Sequence, residues 1–314
     1  MSLKKIIKII LPLILGGFLV WYSFTIVSPK ELLQYFENAN YSWIALGLFF
    51  GILSHLSRAY RWKFLLEPMG YKPKFLNSTL AVMVAYLMNL FLPRAGEVTR
   101  ASVMTTYEGI PFEKGFGTIV AERIADLVMM LLILVITLFV QFDFIYDLLS
   151  KNFSPIKILI AVGALIVGFV VFTQYVKKAT KGLGLKIKNF ILSLSEGVTS
   201  IFRMKDKWAF IFHTVFIWIM YIAMFWATIP SIEGLQVPFG GVLVGFIAGG
   251  FAIAATNGGL GAYPAAVGTA LTLFGISEKT GIAFGSVMWA AQTAMIIVFG
   301  GLSFLALPIF NKNK

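Results

Sequence analysis

Arg94, Glu97 and Arg100 fall within the stretch Asn89-Leu-Phe-Leu-Pro-Arg-Ala-Gly-Glu97-Val-Thr-Arg100, which closes an apolar run beginning at Phe75. A guanidinium presents a planar fork of donors that matches phosphate bidentately. A carboxylate between two such groups either neutralises them or handles a proton. Asn89, Pro93 and Gly96 shape the same turn. Two more charged groups interrupt apolar sequence: His55, Arg58 and Arg61, spaced to share one helix face, and Glu122, Arg123 and Asp126. A charge at the centre of a bilayer costs roughly 2.5–3.5 kcal/mol on insertion scales. Acids and bases are mixed here, which permits internal pairing. Each group has two readings. Arg58 and Arg61 either snorkel to a cytoplasmic interface or contact a lipid headgroup. Arg94-Glu97-Arg100 is either a capped turn or a phosphate site. Glu122-Arg123-Asp126 is either an ion-pair clamp or a substrate or proton site.

A second interruption, Thr256-Asn257-Gly258-Gly259-Leu260-Gly261-Ala-Tyr-Pro264, carries no charge. Asn257 and the glycines Gly258, Gly259 and Gly261 offer backbone N–H groups and small volume, suited either to a ligand or to close helix packing. Other chemistry is thin. The chain has no cysteine and two histidines, His55 and His213. It has no Walker loop, no His-Glu-x-x-His and no nucleophile–base pair close in sequence. No catalytic residue, metal or cofactor is expected.

The elements that position these groups lie in a membrane. Of 314 residues, 59% are hydrophobic and 13% charged, against about 25% charged in soluble domains; mean hydropathy is +0.86. The +12 net charge is read as Lys- and Arg-rich cytoplasmic loops rather than nucleic-acid binding. Apolar runs predict spans near 8–27, 43–66, 120–140, 156–176, 208–229 and 281–308. The run 75–92 decides the topology. If it crossed, segment 177–207, with eight bases against two acids, would lie outside, against the positive-inside rule. The run is therefore read as re-entrant, and both termini as cytoplasmic. Within 183–203, Ile187, Phe190, Ile191, Leu194, Val198 and Ile201 recur at helical spacing, predicting an interfacial helix.

The halves 1–142 and 156–310 share one order of span, span, interrupted segment, span, with directions reversed. Interrupted segments at matching positions point to a transporter's central site, built from an inverted repeat. The expected fold is an all-α polytopic membrane protein with about six spans and two opposed re-entrant hairpins. Whether 239–274 is re-entrant or fully spanning stays open.

The chain resembles the family of the lysylphosphatidylglycerol synthase transmembrane (flippase-like) domain. The resemblance rests on Ser57-Arg58-Ala-Tyr-Arg61-Trp62, on Asn89 to Arg100 with its Pro-x-x-Gly-Glu-x-x-Arg core, on Glu122-Arg123-x-x-Asp126 and on Gly258-Gly-Leu-Gly261. It covers nearly the whole chain. The family often has proline before the double glycine and an acid after it; Asn257 and Pro264 stand there instead. The soluble aminoacyl-transferring domain is absent from this sequence. The resemblance implies movement of a phospholipid or related anionic lipid, of phospholipid or polyprenyl phosphate type, between leaflets of a cell membrane. A membrane enzyme acting on lipid headgroups and a non-transporting scaffold are the alternatives.

Overall fold

A computed structural model describes residues 3–92, 95–152, 154–189, 192, 201, 204–256 and 258–312. Every regular element among them is helical. The chain divides into two compact units, Met1–Arg123 with Trp208–Lys314, and Ile124–Lys207. The helices are α1 (Leu3–Ile26), α2 (Pro29–Glu37), α3 (Tyr41–Leu66), α4 (Phe75–Phe91), α5 (Ala95–Glu108), α6 (Phe112–Val140), α7 (Phe142–Asn152) and α8 (Pro155–Lys178). There follow α9, described over 182–189, then α10 (Lys207–Thr228), α11 (Phe239–Ala255), α12 (Ala262–Thr272) and α13 (Glu278–Phe310). The unit boundary falls within α6.

Among the described residues, four helical segments are long and apolar enough to cross a bilayer: Tyr41–Met69, Phe112–Val140, Lys207–Ser231 and Glu278–Phe310. The protein is therefore a polytopic helical membrane protein. Of the other two expected spans, α1 and α8 have 24 residues each, a length of about 36 Å.

In the first unit the two interruptions become helix–turn–helix units. Proline lacks an N–H and disfavours helical backbone in the residue before it, and α4 accordingly stops with Leu92 extended ahead of Pro93. The chain re-enters helix at Ala95. The base of this first hairpin is tied by Asn77 of α4, whose amide donates to Glu108 at the end of α5 and to Asn311 just beyond α13 at 3.0 Å. At its tip, a Cβ on Gly96 would collide with the Ala85 carbonyl and the Asn89 amide, so only glycine lets α5 lie this close to α4. In the second hairpin, α11 and α12 pack antiparallel: a Cβ on Gly241 would meet Phe274, on Gly245 Leu271, and on Gly249 Tyr263. Its turn needs left-handed backbone at Gly258, Gly259 and Gly261, with φ of 63°, 80° and 67°, a region that side chains other than glycine's rarely enter.

Small residues dominate these crossings because lipid tails are as apolar as the helices, leaving dispersion and close approach to drive association. The longest helix, α13, lies against both hairpins. Its Gly300 faces Leu87 and the Met83 carbonyl, Gly281 faces Gly268, and Gly285 faces Pro264. The second turn also abuts α1, where the Gly261 position leaves no room beside Gly16 and Val20. The two tips touch: a Cβ on Gly258 would lie 2.9 Å from Leu90. Helix α10 runs antiparallel to α3, with Asn40 N–H donating to the Ser231 carbonyl at 2.9 Å and Gly51 against Met224.

In the second unit α7 packs on α8, and Lys188 of α9 donates to the Lys177 carbonyl at 3.0 Å. Of the stripe predicted for 183–203, residues 182–189 are helical. Phe190, Ile191, Leu194 and Val198 lie outside the described residues.

The connection from α1 to α3 carries one titratable clasp. Ser28 and Glu31 form a capping box on α2, and Glu31 also pairs with Lys279 at the start of α13. The Lys279 ammonium first, then the Ser28 N–H and hydroxyl, hold the Glu31 carboxyl down from 4.5 to about 2. A depressed carboxyl contributes stability that is present above its unfolded pKa and lost as pH falls through its folded one. Thermal unfolding in detergent is therefore expected to show a small loss between pH 4.5 and about 2 that Glu31→Gln lacks; equal acid-side slopes would refute the clasp. Both side chains are partly exposed, so solvent screening keeps the effect small.

Candidate functional site

The charges of α3, α5 and the start of α6 converge on one recess. It is lined by Arg58, Val82, Ala85, Tyr86, Asn89, Gly96, Glu97, Arg100, Ile119 and Arg123. In this conformation it is too narrow for more than about one water molecule.

The side chains behind the recess are ordered by a buried ion-pair cluster. Glu122 accepts from Arg100 Nη1, with Nη2 at 3.5 Å, and Arg61 Nε lies 3.8 Å from its other face. All three residues are buried, Arg61 and Glu122 almost completely. Arg61 Nη1 also donates to the Thr214 hydroxyl at 2.9 Å, and its guanidinium sits 5.2 Å above the Phe210 ring. The Arg100 guanidinium lies 3.7 Å over Trp62, and that indole donates to Thr118 at 2.8 Å. Aromatic faces attract guanidinium through their quadrupole, more strongly when water is excluded. The cluster thus sets buried charge against buried charge of opposite sign, the pairing that burial requires.

Snorkelling of Arg58 and Arg61, one of the two sequence expectations, is overturned. Arg58 is 4% exposed and Arg61 0%. Arg58 lines the recess against the α4–α5 hairpin, and Arg61 turns to Thr214, Phe210 and Glu122 inside the protein. His55 is buried too, and His213 hydrogen-bonds Ser57 at 2.8 Å.

At the mouth, Glu97 pairs with Arg123 at 3.1 Å, the arginine side chain 47% exposed and the glutamate 21%. The second carboxylate oxygen of Glu97 is buried and makes no hydrogen bond among the described residues. Asn89 caps the first turn of α5 from the other helix, accepting from Gly96 N–H at 2.8 Å. That satisfies one of the donors a helix start leaves open.

The sequence expectations sort accordingly. Arg58, Asn89, Gly96, Glu97, Arg100 and Arg123 line one recess, and Arg61 and Glu122 stand behind it. Asp126 is buried one turn further along α6, in the second unit. Pro93, Arg94 and Asn257 lie outside the described residues. Gly258, Gly259 and Gly261 form the second turn, where Trp289 Nε1 donates to the Gly258 carbonyl at 2.8 Å. Each of the three glycines has protein atoms close to where a Cβ would stand. Sequence reasoning missed Tyr86, Thr118, Thr214 and Phe210, which stand in apolar runs where an isolated hydroxyl or ring carries no signal. Among the described residues no three of His, Asp and Glu come together as a metal set.

The family described as Lysylphosphatidylglycerol synthase TM region matches residues 9–300. The chain belongs to this family. Its lysylphosphatidylglycerol synthase TM region is similar to two curated proteins. A UPF0104 membrane protein of Methanocaldococcus jannaschii is 28% identical over 125 residues, covering 39% of this chain and 37% of that protein. The glycosyltransferase AglD of Haloferax volcanii is 29% identical over 102 residues, covering 32% of this chain and 16% of the relative. The chain thus spans little more than a third of the first and about a sixth of the second. No solved structure matches it.

Proposed function

We propose that the protein moves a phospholipid or related anionic lipid, of phospholipid or polyprenyl phosphate type, between the leaflets of a cell membrane, with the recess as its headgroup site. One observation carries this reading: three guanidiniums and a single carboxylate line the recess. With Glu122 counted, Arg58, Arg61, Arg100 and Arg123 stand against Glu97 and Glu122. Clustered guanidinium favours an anion as ligand, and phosphate fits its fork.

The wider reading has six spans, two opposed re-entrant hairpins and inverted repeats over 1–142 and 156–310, with both termini cytoplasmic and 183–203 at the interface. Hairpin helices of 17 and 14 residues, then 17 and 11, support it, since the longest of them extends about 26 Å against a hydrocarbon core of about 30 Å.

The second reading is an enzyme acting on lipid headgroups, favoured by the similarity to a protein named a glycosyltransferase. Vesicles containing the purified protein and lipid labelled in one leaflet separate the two. Translocation predicts loss of leaflet asymmetry with the lipid chemically unchanged. A modified headgroup supports the enzyme. Asymmetry equal to protein-free vesicles, with no modification, overturns both and leaves a scaffold.

A further inference from the structure

Beyond the arginines, the wall of the recess is aromatic. Tyr86 of α4 lines the recess and packs at a tilt of 43° against His55 of α3, ring centroids 4.4 Å apart. Its hydroxyl meets that of Tyr221 on α10 at 3.1 Å. Trp218, one turn along α10, packs edge-on against Tyr221 at 6.2 Å and against Phe246 of α11 at 6.2 Å. The cluster therefore bridges the first hairpin, α3, α10 and the second hairpin. His55 lies one helical turn before Arg58 on the same face.

Two of its polar atoms are buried with nothing to bind among the described residues: His55 Nδ1 and Trp218 Nε1. Leaving a buried donor or acceptor unmade costs about 1–3 kcal/mol each, and an indole N–H can only donate. A leucine or phenylalanine would pack these positions without that penalty. Two such atoms stand beside a tyrosine pair, next to the arginine-lined recess.

We propose that His55, Tyr86, Trp218 and Tyr221 form a second, uncharged station for the phosphate-and-hydroxyl headgroup of a lipid, closed off from the arginine recess by the Tyr86–Tyr221 hydrogen bond. This rests on the transport reading of the recess. Arginines alone would hold a phosphate too firmly to release it, whereas passage needs successive sites from which a ligand can leave. Neutral donors supply the weaker step. When the tyrosine pair parts, its hydroxyls, the indole N–H and the imidazole nitrogen become the hydrogen-bond partners of the headgroup.

The test uses His55→Leu and Trp218→Phe in the full-length protein, with short-chain phosphatidylglycerol as probe. Binding to the detergent-solubilised protein is expected to stay within about twofold of the native, since the arginines remain, and thermal stability to be unchanged or raised because an unmade hydrogen bond has been removed. Translocation in vesicles is expected to fall at least about tenfold, the equivalent of one lost hydrogen bond to a charged group. Native rates in both variants overturn the station and leave the transport reading standing. If the native protein moves no lipid, a phosphatidylglycerol with a photoreactive headgroup decides. Label within 208–228 supports the station without transport; label confined to α4 and α5 overturns it.

Discussion

Arg58→Met is expected to slow lipid translocation roughly 30- to 1,000-fold, because truncating one partner of a desolvated charge pair costs about 2–4 kcal/mol. Arg58 lines the recess and is 4% exposed, so little water competes for its guanidinium. Arg58→Lys is expected to recover only a small part of the rate, since an ammonium keeps the charge but loses the planar fork. Arg123→Met provides the contrast. Its side chain is 47% exposed, and a solvated guanidinium contributes no more than about 1 kcal/mol, so a loss of a few-fold is expected. The rates are read as initial loss of leaflet asymmetry in vesicles. Equal losses at Arg58 and Arg123 would show that burial does not set the strength of the site. Full activity in Arg58→Met would remove the recess as the headgroup site.

Glu122→Leu is expected to destabilise the protein by about 3–5 kcal/mol, the cost of leaving buried charge uncompensated. Arg61 and Arg100 both turn to this carboxylate, and removing it leaves two guanidiniums facing each other away from water. The triple variant Arg61→Met, Glu122→Leu, Arg100→Met is expected to regain most of that stability, because a buried ionic cluster can be replaced by apolar side chains at little net cost. Thermal unfolding in detergent measures both. If the triple variant also translocates at the native rate, Glu122 is a clamp and nothing more. If it is stable but inactive, the cluster acts on the substrate as well. A stable Glu122→Leu would contradict the geometry outright.

Much of this architecture is legible in the sequence, for local reasons. Helix α4 stops at Phe91 with Leu92 extended, as the proline next in sequence requires of the residue before it, and the glycines at 258, 259 and 261 mark the second turn because they tolerate its positive φ. The mixing of acids with arginines announces internal pairing, and Glu122 with Arg100 realises it. What the sequence hides is long-range. Arg58 and Arg61 sit near the end of a span, where charge normally reaches for an interface. Arg61 finds its partners in Thr214 and Phe210, about 150 positions away in the chain, and no spacing rule connects such pairs. The platform of Arg100 is hidden in the same way: Trp62 meets it only when α5 is laid across α3. His55 and Tyr86 become a pair only when α3 and α4 are packed together. The clasp between Glu31 and Lys279 joins opposite ends of the chain. Nothing in the neighbourhood of either residue foretells it.

The placement of α13 has a bearing on how this protein tolerates change. One helix abuts both hairpins through backbone-close glycine contacts, at Gly300 on one side and at Gly281 and Gly285 on the other, while its Trp289 holds the turn whose Gly258 touches Leu90. A side chain added at Gly281, Gly285 or Gly300 displaces the shared helix and so disturbs both hairpins. Substitutions in the first hairpin and in the second are then not independent events, and their combined effects will depart from simple addition although the residues are far apart in the chain. In evolutionary terms α13 is a bottleneck: the hairpin surfaces are free to diverge, but only along routes that keep the same narrow helix acceptable to both.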